Sequence, residues 1–115
     1  MKTIIALVGL PGSGKTTYGN FLSLKLNIPF IDEPKSKNEI IYDNLIIASP
    51  FYCIKKNREQ LLNELKEYKI IFVYFENNPE KALINCNKRP NKPINIKYWS
   101  KIYEVEVKYF RKIII

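Results

Sequence analysis

Gly9-Leu10-Pro11-Gly12-Ser13-Gly14-Lys15-Thr16 is the stretch on which the reading of this chain turns. It has the spacing G-x-x-x-x-G-K-[ST], follows the apolar run Ile4-Ile5-Ala6-Leu7-Val8 and precedes a segment patterned like a helix. Strand, glycine-rich turn and helix in that order make a loop whose backbone N–H groups turn inward around a highly charged anion, and glycine permits the close approach this needs. Lys15 falls at the helix start, where its ammonium reaches the β- and γ-phosphates of a triphosphate and the helix N-terminus adds partial positive charge. The Thr16 hydroxyl is placed to ligate Mg²⁺. On this reading Gly9, Pro11, Gly12, Ser13, Gly14, Lys15, Thr16 and Thr17 wrap the phosphates of ATP.

With 115 residues the chain reads as one domain, residues 1–115, without room for a second domain or a long lid. An apolar fraction of 46% is ample for a packed core, and no apolar run approaches a membrane span. The apolar residues before Gly9 are too few for a secretory leader and lack a small-residue cleavage site, so they read as a buried first strand. A formal net charge of +8 attracts phosphate-rich ligands, nucleic acid among them. Almost all of that excess is lysine, however, and a chain rich in Lys, Ile and Asn also has the look of A·T-rich coding. Cys53 and Cys86 form no C-x-x-C pair and histidine is absent, which removes the usual zinc sets and leaves a carboxylate or lysine as any general base. Free thiols in a reducing cytoplasm are the default expectation.

Apolar runs and helical periods alternate along the chain, the signature of a parallel sheet flanked by helices. Strands are expected over residues 3–8, 28–31, 45–48 and 70–75, with the alternating tail (Val105, Val107, Tyr109) as a fifth, edge strand. The first helix spans 15–26, with Tyr18, Phe21, Leu22, Leu24 and Leu26 as its apolar face and Asn27 closing it. Residues 35–43 suit one irregular polar helix, and 57–68 a helix capped by Asn57 that buries Leu61, Leu62 and Leu65. A further helix over 79–88 opens with Pro79 after Asn78 and buries Ala82, Leu83 and Cys86, and Asn95 caps a last one running to Glu104.

Ligands of open parallel sheets gather beyond the C-terminal ends of strands, which selects the glycine-rich loop, Asp32-Glu33, Ser49 and Glu76-Asn77. Arg58, near a helix start, is a solvated surface side chain or else the partner of a phosphate or carboxylate. Tyr98, Trp99 and Tyr103 fit a core stripe better than a base-stacking platform.

Together these segments resemble the small P-loop kinases. The resemblance is carried by G-L-P-G-S-G-K-T-T, by strands ending in Asp32-Glu33-Pro34 and Ala48-Ser49-Pro50, and by Phe75-Glu76-Asn77-Asn78-Pro79-Glu80-Lys81 leading to Lys88-Arg89. Within that group the chain is similar to predicted kinases of phages and large DNA viruses, relatives of adenylate kinase and polynucleotide kinase. The resemblance implies a three-layer α/β P-loop fold with a mostly parallel five-stranded sheet of order 2-3-1-4-5. It also implies ATP- and Mg²⁺-dependent phosphoryl transfer to a nucleoside, a nucleotide or a polynucleotide 5′ end. Asp32 first and Glu33 second are then the general base on the acceptor hydroxyl, while the Glu-Pro of deoxynucleoside kinases favours Glu33. Lys15 and Arg89 stabilise the transferring phosphoryl group.

One position departs from the family's pattern. An aspartate usually ends the third strand beside the Mg²⁺ hydration shell, whereas Ser49 here offers a hydroxyl to a metal-bound water and brings no charge. The alternative is therefore a nucleotide-binding P-loop protein with weak or no kinase activity, an NTPase or a regulatory module. A cytoplasmic monomer or weak dimer without membrane association, in the host cytoplasm if the chain is viral, completes the expectation.

Overall fold

The computed structural model describes residues 2–88 and 95–107. Four strands, β1 (Lys2–Val8), β2 (Phe30–Asp32), β3 (Asn44–Ala48) and β4 (Tyr68–Tyr74), form a parallel sheet in the order β2-β3-β1-β4. In register, Ile4 lies opposite Leu45 and Ile70, and Leu7 opposite Ala48 and Val73. The central strands read as unbroken apolar runs because both of their faces are covered. Ile4, Ala6, Leu45 and Ile47 point to one face, and Leu7, Ile46 and Ala48 to the other, all wholly buried. Each large aliphatic side chain among them contributes about 1.5–3 kcal/mol.

Helix α1 (Lys15–Leu26) lies on the Leu7 face, where Tyr18 and Leu22 pack with Phe30 and Phe75. Only the stripe through Lys15, Tyr18, Gly19 and Leu22 meets the sheet, so Phe21, Leu24 and Leu26, expected on the apolar face, are exposed. The approach is close: a Cβ on Gly19 would stand 2.5 Å from the Phe30 ring. Asn27 closes α1 in left-handed geometry, and its N–H donates to the Ser23 carbonyl.

The opposite face carries α2 (Lys55–Glu64), α3 (Pro79–Asn87) and α4 (Ile96–Glu106). Asn78 and Asn95 accept from the backbone N–H of Lys81 and Tyr98, as caps should, and Pro79 takes the first position of α3.

Several boundaries differ from the sequence reading. Asn57 does not cap α2: a 3₁₀ turn over Pro50–Cys53 feeds the helix from Ile54, and the Asn57 side-chain amide donates to the Phe51 carbonyl instead. Helix α2 ends at Glu64, so Tyr68 opens β4 rather than closing the helix, and Leu62 faces solvent. Residues 35–43 hold only a short 3₁₀ turn, Lys37–Glu39, and Leu83 of α3 is exposed while Ala82 and Cys86 are buried. The sheet has four strands among the described residues. Val105 belongs to α4, whose period places it outward and turns Tyr103 inward, and Val107 is buried at the helix end. The rest of the expected fifth strand lies outside the described residues.

Arg58 is not a surface side chain. It is buried in α2, stacks over the Tyr74 ring, and donates to the carbonyls of Tyr52, Cys53 and Glu106. One guanidinium thereby fastens the 3₁₀ turn to the far end of α4. The Tyr103 hydroxyl donates to the Phe75 carbonyl, and Asn77 exchanges hydrogen bonds with Ser100, so the end of β4 is tied to α4 as well.

Arg58→Ala leaves three carbonyls without their charged donor and should cost about 2–4 kcal/mol, read from urea denaturation. Alkaline stability is a second check. Burial pushes the Cys53 thiol up from 9.0 to about 11, opposed by Lys15, Arg58 and a backbone hydrogen bond from Gly9. Burial, with Glu64 adding, pushes Tyr52 from 10.0 to about 12, and burial also raises Tyr103. Above pH 9 the unfolded chain releases protons that the folded chain retains, so the native state binds more of them and stability falls as pH rises. The melting temperature should hold to about pH 9 and drop through pH 11; a rise over that interval would contradict the burial of these groups.

Candidate functional site

The loops after β1, β2 and β3 open onto one cleft of about 680 Å³, within the range of small-molecule sites. Pro11, Gly12, Gly14, Lys15, Thr16 and Thr17 form its floor, Asp32 and Glu33 one rim, and Pro50, Phe51, Asn85, Asn95 and Trp99 the remaining wall.

The floor is held in shape by the protein itself. Gly12 has φ 79°, and a Cβ there would lie 2.4 Å from the Ala82 carbonyl oxygen and 2.7 Å from the Cys86 sulfur. Helix α3 thus presses directly on the loop backbone, and the Asn85 amide donates to the Gly12 carbonyl at 2.8 Å. Inside the loop the Ser13 N–H donates to the Leu10 carbonyl, while the Ser13 hydroxyl is buried without a hydrogen-bond partner among the described residues. Lys15 is buried, and its Nζ donates to the carbonyls of Gly9 at 2.8 Å and Leu10 at 2.7 Å. Gly9 and Ser13 do not line the cleft; a Cβ on Gly9 would stand 2.9 Å from the Phe75 Cβ.

Helix α1 begins at Gly14 without a side-chain cap, and its first turn carries no acidic residue. Its leading N–H groups therefore find no acceptor in a capping side chain, and the carboxylate nearest them, Asp32, is held on the Thr16 hydroxyl. That end of α1 suits an anion.

The two carboxylates on the rim are held differently. Asp32 accepts a hydrogen bond from the Thr16 hydroxyl at 2.7 Å, joining the end of β2 to the start of α1. Glu33 has φ 52°, a left-handed conformation uncommon for a residue with a side chain, and its N–H donates to the Ala48 carbonyl at 2.7 Å. The pairing of β2 with β3 continues through that bond, and it holds Glu33 in a strained turn at the cleft. Strain of this sort, about 1–2 kcal/mol, persists where neighbouring structure over-determines it and is frequent at functional sites.

Ser49 is buried and its Oγ accepts from the Phe51 N–H, capping the 3₁₀ turn. It lines a second cleft and not this one. Arg89 lies outside the described residues. Glu76 and Asn77 do not line the cleft, and the Asn77 side chain is given over to Ser100. Sequence reasoning did not assign Phe51, Asn85 or Asn95 to the site. Asn85 meets Gly12 across 73 positions, a contact no local pattern announces, whereas Asn95 and Trp99, four apart at a helix start, share a face.

No family model matches the chain. A shikimate kinase from Paracidovorax citrulli (strain AAC00-1) is 33% identical over 79 residues, which are 69% of this chain and 40% of that protein. The chain therefore spans less than half the length of this curated relative. Among solved structures, a gluconokinase from Sinorhizobium meliloti 1021 superposes with a TM-score of 0.57 at 12% identity, covering 96% of this chain and 75% of the other. A shikimate kinase from Bacteroides thetaiotaomicron gives 0.51 at 20% identity, covering 92% and 77%. The fold is the parallel α/β arrangement of the P-loop kinases, with the central strands in the expected order 2-3-1-4.

The strained turn yields a test. Glu33→Gly relieves the left-handed penalty and removes the carboxylate together, so it should melt at or above the wild-type temperature while any activity that needs the carboxylate falls at least tenfold. A melting temperature several degrees lower would mean that Glu33 is held by contacts its φ does not reveal.

Proposed function

We propose that this chain transfers the γ-phosphoryl group of ATP to a hydroxyl of a small molecule. One observation supports the reading above others: the Thr16–Asp32 hydrogen bond sets a carboxylate against the mouth of the phosphate loop. Glu33 borders the same cleft beside it as a second carboxylate, available to an acceptor hydroxyl.

The loop N–H groups and the end of α1 receive the β- and γ-phosphates, and Lys15 moves from loop carbonyls to phosphate oxygens as charge builds on the transferring group. The Thr16 hydroxyl and the Asp32 carboxylate are the hard oxygen donors that suit Mg²⁺, which usually rests on one or two protein groups and completes its shell with phosphate and water. Among the described residues no three acidic, histidine or cysteine side chains gather into a separate metal centre. Bound there, Mg²⁺ would neutralise charge on the phosphates. With Asp32 turned to Thr16, Glu33 takes the role of base that the sequence ranked second for it. The acceptor oxygen gives its proton to Glu33 and forms the new bond to the γ-phosphorus, the bond to the bridging oxygen breaks, and ADP leaves. Arg89, two positions beyond the end of α3, is assigned the equatorial phosphoryl oxygens from the family resemblance.

The likeness to a shikimate kinase and a gluconokinase supports a small-molecule acceptor. The nucleoside, nucleotide and polynucleotide acceptors, and a viral source, rest on the sequence resemblance alone. Two free cysteines suit a cytoplasmic setting, and no helix among the described residues is long and apolar enough to cross a membrane. A second reading, a module that binds ATP without turnover, draws on Ser49, whose hydroxyl already accepts from Phe51.

The test is Mg²⁺-dependent transfer of labelled γ-phosphate to a panel of hydroxyl compounds. Lys15→Ala and Asp32→Ala should each lower kcat/KM about a hundred- to a thousandfold. Tight ATP binding with no transfer to any acceptor would favour the second reading.

A further inference from the structure

Helix α1 covers the centre of its sheet face but not the edge strand beside it. By register Thr3 lies opposite Lys69, Ile5 opposite Ile71 and Leu7 opposite Val73, so Lys69, Ile71 and Val73 point to the same face as Leu7. Leu7 is wholly buried there, whereas Ile5 and Val73 are half-buried and Ile71 is 41% exposed. Parallel sheets normally have both faces covered, and among the described residues nothing covers this margin.

The helix supplies a facing wall. Tyr18 meets Phe75 edge-on with ring centroids 5.7 Å apart and stacks on Phe21 at 6.3 Å, and Lys25 stands 5.6 Å over the Phe21 ring. Residues 18, 21 and 25 therefore form one ridge along α1, and the contact with Phe75, which follows β4, turns that ridge toward the edge strand. Ridge and strand bound a groove with Ile5 between them. Phe21 is 54% exposed on it.

The charge of the groove has one sign. Because α1 runs back between two parallel strands, Lys25 in its last turn and Lys69 near the start of β4 lie at the same end. β1, α1 and β4 contain no acidic residue, and neither lysine has an ion-pair partner among the described residues.

That chemistry discriminates among occupants. A second copy brings the same lysines and the same formal charge of +8, and residues 108–115 carry three cations and no acid. A flat bilayer does not reach a half-buried floor between two walls. A segment with an apolar stripe and acidic residues matches both the walls and the lysines.

We propose that the groove between α1 and β4 docks an acidic amphipathic segment of another protein, its apolar stripe on Phe21 and Ile71 and its carboxylates on Lys25 and Lys69. The inference is independent of the kinase reading.

The experiment selects short peptides from a random display library on the whole chain and measures the Kd of those recovered by fluorescence anisotropy. They should combine apolar residues with an excess of Asp and Glu. The exposed pair Lys25→Glu/Lys69→Glu should weaken them at least tenfold with the melting temperature unchanged, and Phe21→Ser should do the same to affinity. Basic or uncharged peptides, affinity that survives both variants, or recovery of no peptide would overturn the inference. So would a chain that dimerises in equilibrium sedimentation and becomes monomeric in Phe21→Ser, or phosphatidylserine vesicles whose binding Phe21→Ser abolishes.

Discussion

A cradle of backbone N–H groups built for a polyanion has to keep its shape when no anion is there, and the contacts around Gly12 and Lys15 show how this chain manages it. The Lys15 ammonium lies against the carbonyls of Gly9 and Leu10, so the loop's own acceptors hold that charge in place. From the other side α3 closes on Gly12, with the Ala82 carbonyl too near to admit a side chain and Asn85 bonded to the Gly12 carbonyl. Helix α3 is anchored in turn by a cluster that includes Val8, Cys86 and Tyr103, with Tyr103 bonded to the end of β4. The loop is thus the meeting point of both halves of the fold, and binding begins from a shape already organised.

A similar economy separates the two carboxylates at the end of β2. They are adjacent in sequence, yet one backbone turn sends Asp32 to Thr16 and leaves Glu33 at the rim in a conformation few residues adopt without support. The Ala48 carbonyl supplies that support, so β3 fixes the geometry of the residue just past β2. Under the proposed function, neighbouring side chains in distinct surroundings would let one strand end serve two tasks, orienting a metal and taking a proton.

The glycine-rich loop and the four parallel strands were legible because each rests on local chemistry, phosphate-loop spacing and unbroken apolar runs, whereas the order of the strands came from the family resemblance. Where the reading failed, a tertiary contact had overridden a local signal. Asn57 looked like a cap, but a 3₁₀ turn reaches α2 first and uses its side chain elsewhere. Arg58 looked like a solvated cation because charged residues seldom lie inside; three backbone carbonyls from two elements make burial tolerable, and none of them is visible in the sequence. Val105 and Val107 alternate like a strand, yet helix-end residues next to a buried Tyr103 show the same spacing. Of the candidate site, Lys15, Thr16, Asp32 and Glu33 come together on one cleft, Ser49 lines the neighbouring one, and Phe51 joins the two.

The central claim is that the loop from Gly9 to Thr17 is a preformed phosphate cradle held by Lys15 and α3. It is tested most directly by following backbone and side-chain amides by NMR during titration with Mg²⁺ and a non-hydrolysable ATP analogue. The account predicts large saturable shifts at Gly12, Gly14, Lys15 and Thr16, while the Asn85 side-chain amide stays in place on the Gly12 carbonyl. Loop amides that do not move at saturating nucleotide, or an Asn85 contact that is lost on binding, would contradict it.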